Sequence, residues 1–199
     1  MIHFPVSERE LEENYDAIMP VIDELSLQRR NIIWGTWPEF VKSAGTWECL
    51  KRIHAVMFEG LFEFAGMIRK KNILKGGFRF ANALFLEKII PVIEDMPQKN
   101  FHDITEKYIE MNIAHPFREG NGRVMRLWLD AILERELDTR INWSGISRND
   151  YLSAMQRSPV NSLELEVLLT HNMLKHEELS DEIIFMASLN ASYSYEKFS

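Results

Sequence analysis

The sequence of residues 115–126 is His-Pro-Phe-Arg-Glu-Gly-Asn-Gly-Arg-Val-Met-Arg, and an apolar-periodic run follows it directly. This pattern predicts a helix whose N-terminus lies near Gly120–Gly122. Unpaired N–H groups and the helix dipole favour an anion at such a terminus, and glycine lets a phosphate approach the backbone closely. Arg123 and Arg126 share a helix face, where both can hold phosphate oxygens. The stretch therefore predicts a polyphosphate site with His115 beside it.

Each of these residues also has an ordinary structural interpretation. Arg126 is four residues from Asp130, a spacing that gives a solvated helix pair worth about 0.2–0.5 kcal/mol. A lone histidine before proline is commonly a turn residue, and Gly-Asn-Gly occurs in plain loops. The functional interpretation depends on the occurrence of all these residues in a fixed order at a loop-to-helix junction.

The stretch resembles the signature of the Fic (filamentation induced by cAMP) family, HPFx[D/E]GNGRxxR, at every defined position. Gly66 with Arg69 is similar to the family's conserved arginine, and residues 75–82 are similar to its flap, a β-hairpin over the active site. The resemblance covers roughly residues 23–198. It implies an all-α, single-domain Fic fold of about eight helices with a short β-hairpin flap. The implied divisions are an extension (1–22), the Fic domain (23–180) and a C-terminal inhibitory helix on the same domain (181–199).

The resemblance implies an enzyme, a protein adenylyltransferase that transfers AMP from ATP to a Tyr, Ser or Thr hydroxyl and releases pyrophosphate. His115 is then the general base, since a neutral imidazole can take the hydroxyl proton at neutral pH. Glu119 is the Mg²⁺ ligand, because this cation binds carboxylate and phosphate oxygens. The loop and the first helical turns bind the ATP phosphates through Gly120, Asn121, Gly122, Arg123 and Arg126.

Gly122 bears on the direction of transfer. In the Doc branch of the same superfamily the corresponding residue is lysine, and ATP binds in reverse so that its γ-phosphoryl group is transferred. The glycine here favours transfer of the nucleotidyl group.

The flap is also visible in the local sequence pattern. Gly76-Gly77 suits a hairpin turn, and Phe78 and Phe80 alternate beyond it. A short exposed edge can pair with an extended target segment. The residues predicted to form the flap and dock the target are Lys75, Gly76, Gly77, Phe78, Arg79 and Phe80. An ordinary surface hairpin with two core-facing phenylalanines is the alternative.

The C-terminal segment Ser192-Tyr-Ser-Tyr-Glu196 resembles the inhibitory motif [S/T]xxxE[G/N] of class III Fic proteins. The resemblance implies that Glu196 pairs with Arg126 and blocks the γ-phosphate, that Ser192 assists, and that Tyr193 is the candidate for auto-modification. Lys197 departs from the Gly or Asn of the motif, residues that suit a left-handed helix stop. Either the helix runs on or the inhibition is weaker. An aromatic helix packed on the core is the alternative.

Composition excludes several other classes. The net charge of −7 argues against a nucleic-acid-binding surface. The single cysteine, Cys49, cannot form an internal disulfide, which fits a reducing cytosol. The sequence has no apolar run of membrane-spanning length, no secretory signal and no GxxxxGK[ST] motif, so we expect a cytoplasmic protein without membrane contact or a P-loop.

Helical periodicity dominates the chain. The predicted helices cover residues 10–25, 46–64, 80–96, 104–113, 123–137, 148–155, 162–174 and 181–198, and only the flap near Gly76–Phe80 is predicted as strand. Among targets, the ATPase subunits of DNA gyrase and topoisomerase IV are first candidates by resemblance, and formation of a homo-oligomer is left open. The alternative function is a latched ATP-binding regulatory protein or a de-adenylylating enzyme. The intact pair His115 and Glu119 favours the transferase.

Overall fold

The computed structural model describes residues 2–175. Within this range the chain forms nine α-helices and two antiparallel two-stranded sheets, so the predicted helical fold with a hairpin flap is confirmed. The helices are α1 (Glu8–Glu13), α2 (Tyr15–Leu27), α3 (Arg30–Lys42), α4 (Trp47–Phe58), α5 (Leu86–Glu94), α6 (Phe101–Ala114), α7 (Asn121–Leu137), α8 (Arg148–Arg157) and α9 (Leu163–His171). The strands are β1 (Leu74–Lys75), β2 (Phe78–Arg79), β3 (Thr139–Ile141) and β4 (Met173–Lys175).

The central element is α7, which packs against α3, α4, α6 and β3. Its residues from Arg123 to Leu133 are all buried. The apolar members of this run, such as Trp128, are fully buried, and each contributes roughly 1.5–3 kcal/mol by leaving water. The helix that follows the predicted phosphate loop is therefore held rigidly on every side.

The two helices that flank α7 have well-formed N-termini. Thr46 accepts a hydrogen bond from the Cys49 amide at 3.1 Å and begins α4. Asn100 accepts one from the Asp103 amide at 3.0 Å and begins α6. Such caps contribute typically about 1 kcal/mol each. Because α6 starts at a fixed point, its C-terminal end, where His115 lies, is also fixed.

The N-terminal helices belong to the same core as the rest of the described chain. A capping box between Ser7 and Glu10 starts α1, and Leu11, Ile18 and Ile22 are buried members of the same hydrophobic core as residues of α4 and α7. The division at residue 22 stays a prediction, although residues on both sides of it share one core.

Some elements differ from the sequence prediction. The pattern predicts no helix over residues 30–42, yet α3 forms there, because buried Ile33, Trp37 and Phe40 supply a helical stripe that Gly35 and Pro38 obscure. The helix predicted over residues 10–25 is two helices that meet at Asn14, where the backbone leaves the helical region.

A second sheet also escapes the prediction. The helix predicted over residues 162–174 ends at His171, and residues 173–175 form β4 because they pair with β3 in the register Arg140↔Leu174. The helix predicted over residues 181–198, with Ser192, Tyr193 and Glu196, lies outside the described residues. Among residues 2–175, none of the helices is long and apolar enough to cross a membrane.

Candidate active site

His115 lies immediately after α6 in a left-handed backbone conformation, with φ 48° and ψ 61°. This conformation costs a non-glycine residue roughly 1–2 kcal/mol and occurs most often where function requires it. Its amide still donates to the Met111 carbonyl at 3.0 Å, so the turn of α6 is complete. The backbone, rather than a freely rotating side chain, therefore aims the imidazole.

Arg69 holds this turn in place. The guanidinium donates to the carbonyls of Lys71 (2.7 Å), Ala81 (2.6 Å), Ala114 (3.1 Å) and His115 (2.7 Å). Burial lowers the pKa of Arg69 to about 10, so it stays charged at neutral pH. One side chain thus connects the base of the flap to the end of α6, and this contact explains the role of the arginine that the family resemblance singled out.

The His115 ring is shielded by the flap. Phe80 stacks on it with ring centroids 3.8 Å apart, and both residues are buried. Burial, and then the charges of Lys75 and Arg69, hold the pKa of His115 well below its ordinary value. The imidazole is therefore neutral at physiological pH, which is the form that accepts a proton.

The loop from Pro116 to Gly120 is anchored by a buried histidine that the sequence prediction missed. His54 Nδ1 accepts a hydrogen bond from the Gly66 amide at 2.8 Å, so its Nε2 carries the proton and donates to the Glu119 carbonyl at 3.0 Å. Its ring also stacks on Phe117 at 3.9 Å. Burial lowers the pKa of His54 to about 4, which keeps the ring neutral in its anchoring role. No local pattern around His54 indicates this contact.

Asn121 closes the same loop. Its side-chain oxygen accepts from the Phe117 amide at 2.9 Å, and its side-chain nitrogen donates to the Phe117 carbonyl at 2.8 Å. Both amide atoms thus shape the loop. Contact between Asn121 and a phosphate stays a prediction.

Gly120 and Gly122 lie at the N-terminus of α7, as the sequence predicts. Gly120 precedes the first helical residue with φ 80°, and a Cβ atom there would lie 2.4 Å from the Phe58 ring. Gly122 is the second residue of the helix, and no side chain among residues 2–175 caps the first turn. Within this part of the chain, the amides of the turn are directed at a position where an anion would be favoured.

Glu119 is buried and binds three hydrogen-bond donors. Its Oε1 accepts from the Gly120 amide at 2.9 Å, and its Oε2 accepts from Lys75 Nζ at 3.0 Å and from the Tyr15 hydroxyl at 3.3 Å. Burial raises the pKa of Glu119, but the Lys75 ammonium and the Gly120 amide outweigh burial and hold the pKa below its ordinary value. The carboxylate is therefore ionised, as a metal ligand requires.

The predicted flap is present, with a turn at Gly76–Gly77 and the register Lys75↔Phe78. Both glycines have positive φ, which suits a two-residue hairpin turn. Phe78 is half-buried and Arg79 is exposed, whereas Lys75 and Phe80 are buried towards the site. Lys75, predicted as a docking residue, thus has its side chain on Glu119. Docking of a target by the flap stays a prediction.

Arg123 is buried beneath α2. Its guanidinium contacts Asp23 Oδ1 at 2.9 Å and donates to Ser26 Oγ at 2.5 Å, and it lies over the Phe58 ring at 5.0 Å. Among the described residues, its Nε has no hydrogen-bond partner. Arg123 therefore retains a donor for a further anion.

Arg126 lies one turn further along α7 and is fully buried. Its guanidinium is 5.8 Å from the centre of the Trp143 ring. The Tyr108 and Tyr151 hydroxyls lie 2.5 Å apart, and both interact electrostatically with the Arg126 guanidinium. Its predicted partner Glu196 lies outside the described residues.

We name α1 and α2 together (residues 8–27) the α1–α2 cover, because they close the site. Besides Tyr15 on Glu119 and Asp23 with Ser26 on Arg123, Glu12 accepts from Arg118 at 2.8 Å and from Lys71 at 2.8 Å. The sequence prediction missed these contacts, since each joins residues far apart in the chain and the contributing residues of the α1–α2 cover belong to no recognised motif.

The charges in the site fit a metal ion and a nucleoside triphosphate. Glu119 holds an internal cation, the Lys75 ammonium, and Arg123 holds an internal anion, the Asp23 carboxylate. A divalent cation at Glu119 would carry charge of the same sign as the Lys75 ammonium. A phosphate at Arg123 would carry charge of the same sign as the Asp23 carboxylate. The donor set, a buried carboxylate beside a helix N-terminus and a buried arginine, suits both groups.

Comparisons with known proteins relate part of this chain to one family and its fold to solved structures. Residues 46–133 match the model of the Fic/DOC family. The matched range contains the flap, His115, Glu119, Arg123 and Arg126, and the α1–α2 cover lies before it. The described residues have the Fic fold: the N-terminal Fic domain of a VirB-translocated Bep effector from Bartonella quintana, solved with bound ADP, superposes with a TM-score of 0.70 at 16% identity, over 89% of this chain and 92% of that one.

Two curated relatives are named as adenylyltransferases. The protein adenylyltransferase VbhT of Bartonella schoenbuchensis is 31% identical over 138 residues, which are 62% of this chain and 28% of VbhT. The "probable protein adenylyltransferase Fic" of Escherichia coli K12 is 26% identical over 125 residues, 57% of this chain and 62% of the relative. This chain thus spans less than two thirds of the length of either relative.

Proposed function

We propose that this chain is a Fic-family protein adenylyltransferase, which transfers AMP from ATP to a hydroxyl side chain of a target protein. One observation carries the proposal. A neutral buried imidazole, an ionised carboxylate, a buried arginine and an uncapped helix N-terminus meet within one loop-to-helix junction, in the order of the Fic signature. The names of the curated relatives support the same activity.

In this proposal His115 takes the proton of the target hydroxyl as its oxygen attacks the α-phosphorus of ATP. A phosphodiester bond forms between target and AMP, the bond from the α-phosphorus to the bridging oxygen breaks, and pyrophosphate leaves. The neutral ring is ready for this step because burial disfavours its charged form.

The phosphates bind at the start of α7. The amides of Asn121 and Gly122 and the guanidinium of Arg123 stabilise the charge that develops on the transferring group, a contribution of roughly 10²–10³ in rate per donor. Arg126 holds the leaving pyrophosphate. Glu119 would hold Mg²⁺, which would neutralise part of the phosphate charge.

ATP competes with the α1–α2 cover for Arg123, because Asp23 and Ser26 already contact this guanidinium at every nitrogen except Nε. The target segment then pairs with the exposed edge of the flap and brings its hydroxyl to His115. We propose the ATPase subunits of gyrase and topoisomerase IV as first targets to test.

We also propose that the C-terminal segment inhibits the enzyme, with Glu196 on Arg126 and Ser192 assisting, and that Tyr193 is an auto-modification site. This arrangement rests on the sequence motif. A closed state favoured by about 3 kcal/mol would reduce the competent fraction roughly 100-fold.

Labelling from α-³²P-ATP tests the proposal. Glu196→Gly should increase transfer of label to protein, and the double variant Glu196→Gly, His115→Ala should lose it while it still binds ATP. Label that survives without His115 would exclude its role as base. ATP binding with no label in any variant would favour the alternative, an ATP-binding regulatory protein.

A further inference from the structure

Lys75 has an unusual environment for a lysine of a surface hairpin. Side chains alternate between the two faces of a strand, and in β1 the neighbouring Leu74 is exposed whereas Lys75 is buried. The lysine side chain is only 4% exposed and its ammonium lies 3.0 Å from Glu119 Oε2. The flap is thus joined to the signature loop by a buried ion pair.

In this ion pair the Lys75 ammonium contacts Glu119 Oε2, the carboxylate oxygen at which we expect a metal ion to bind. The other oxygen of Glu119 accepts from the Gly120 amide, which leaves Oε2 as the atom directed at the flap. A divalent cation on Oε2 and the Lys75 ammonium would repel each other at short range, and desolvation strengthens that repulsion. The two cations are therefore alternatives at Glu119.

Release of Lys75 has a mechanical consequence. The strands of the flap are two residues each and, within residues 2–175, pair with one another and with no other strand, so we expect side-chain anchors to decide how closely the flap lies on the site. Lys75 is the anchor at the tip, beside the Gly76–Gly77 turn, and Phe80 on His115 is the anchor nearer the base. Loss of the tip anchor frees the strand edge to which a target would bind.

We propose that Lys75 is a positioning residue that occupies the metal position at Glu119 when no divalent ion is bound, and that metal binding releases Lys75 and with it the tip of the flap. The inference rests on the proposed function, because the metal and the docking flap belong to that function. This role of Lys75 would couple metal binding to target docking, because the flap becomes accessible to a target only when the metal site is filled.

Binding of Mn²⁺ alone, measured by electron paramagnetic resonance on the full chain without nucleotide, tests the competition. Lys75→Met removes the competing cation and should tighten Mn²⁺ binding by roughly tenfold or more. Lys75→Arg keeps a cation and should stay near wild type. Lys70→Met, a matched change at an exposed lysine of the same segment, should have no effect, and Glu119→Gln should lose binding.

Hydrogen exchange of the flap amides provides a second readout that needs no variant. Addition of Mn²⁺ to the wild-type chain should accelerate exchange in residues 73–80, and Lys75→Met should show the faster exchange before Mn²⁺ is added. Unchanged Mn²⁺ affinity in Lys75→Met, or flap exchange that ignores Mn²⁺ in wild type, overturns the inference. If Mn²⁺ binding follows the expected pattern but no adenylyl transfer is found, the proposed function fails and the role of Lys75 stands.

Discussion

Replacement of Asp23 by asparagine should make the chain bind ATP more tightly and, at the same time, make the ligand-free protein less stable. Asp23 Oδ1 lies 2.9 Å from the guanidinium of Arg123, which is nearly fully buried. Without the carboxylate, Arg123 keeps a buried charge and loses the anionic partner that contacts its guanidinium, so the free energy of the ligand-free state rises. The nucleotide-bound state, in which a phosphate has replaced Asp23, is unaffected.

The size of the effect follows from the geometry. Two unit charges at this separation attract by about 6 kcal/mol at an effective dielectric constant of about 20. Asp23 is partly exposed, with 33% of its side chain accessible, and asparagine keeps one acceptor oxygen. We therefore expect a net loss of about 1–2 kcal/mol, which corresponds to roughly 5- to 30-fold tighter ATP binding. The same loss should lower the melting temperature by roughly 2–6 °C.

Isothermal titration calorimetry with α,β-methylene ATP, which cannot donate AMP, measures the affinity without turnover, and differential scanning calorimetry measures the stability. Glu24→Gln is the matched control, since it removes the same charge from the adjacent exposed residue of α2 and should change neither quantity. A variant Asp23→Asn that melts earlier but binds the analogue no better than wild type would refute the idea that Asp23 and a phosphate compete for Arg123.

Two further predictions concern the loop that carries Glu119. The pKa of His54 is about 4 in the folded chain and about 6.5 when unfolded, so the unfolded state binds the extra proton between these values. The free energy of unfolding should therefore fall with decreasing pH from about 6.5 to 4, with a slope of about 1.4 kcal/mol per pH unit from this residue. Urea denaturation of His54→Gln should show a pH dependence without this contribution. An unaltered slope would show that His54 is not the titrating group. Gly120→Ala should cost roughly 2–4 kcal/mol, because alanine disfavours φ 80° and its Cβ would contact Phe58. The control Gly35→Ala lies in open space within α3 and should stabilise the chain by about 0.5–1 kcal/mol; equal melting temperatures for the two variants would exclude the steric argument.

The sequence predicts the location of the candidate site where its residues are contiguous. Residues 115–126 contain the imidazole, the carboxylate, the arginines and the glycines within one loop and helix start, and local rules are enough to place the start of α7. The hairpin is predicted for a similar reason, because Gly76-Gly77 determines a two-residue turn from local geometry alone.

Contacts between distant segments could not be predicted. Tyr15 meets Glu119 and Asp23 meets Arg123 across about a hundred residues of chain, and no periodicity or motif relates them. The inward direction of Lys75 is equally invisible, since alternation in a strand leaves open which face is buried until the packing is known. The sequence places Met173 and Leu174 in a helix because their side chains suit either element, and only pairing with β3 decides.

Arg69 makes its four side-chain hydrogen bonds to main-chain carbonyl oxygens. The position of His115 relative to the hairpin is therefore fixed through main-chain carbonyl groups, which every amino acid possesses. A chimera that exchanges residues 76–79 and keeps Lys75 on Glu119 should therefore leave this connection between the hairpin and His115 intact.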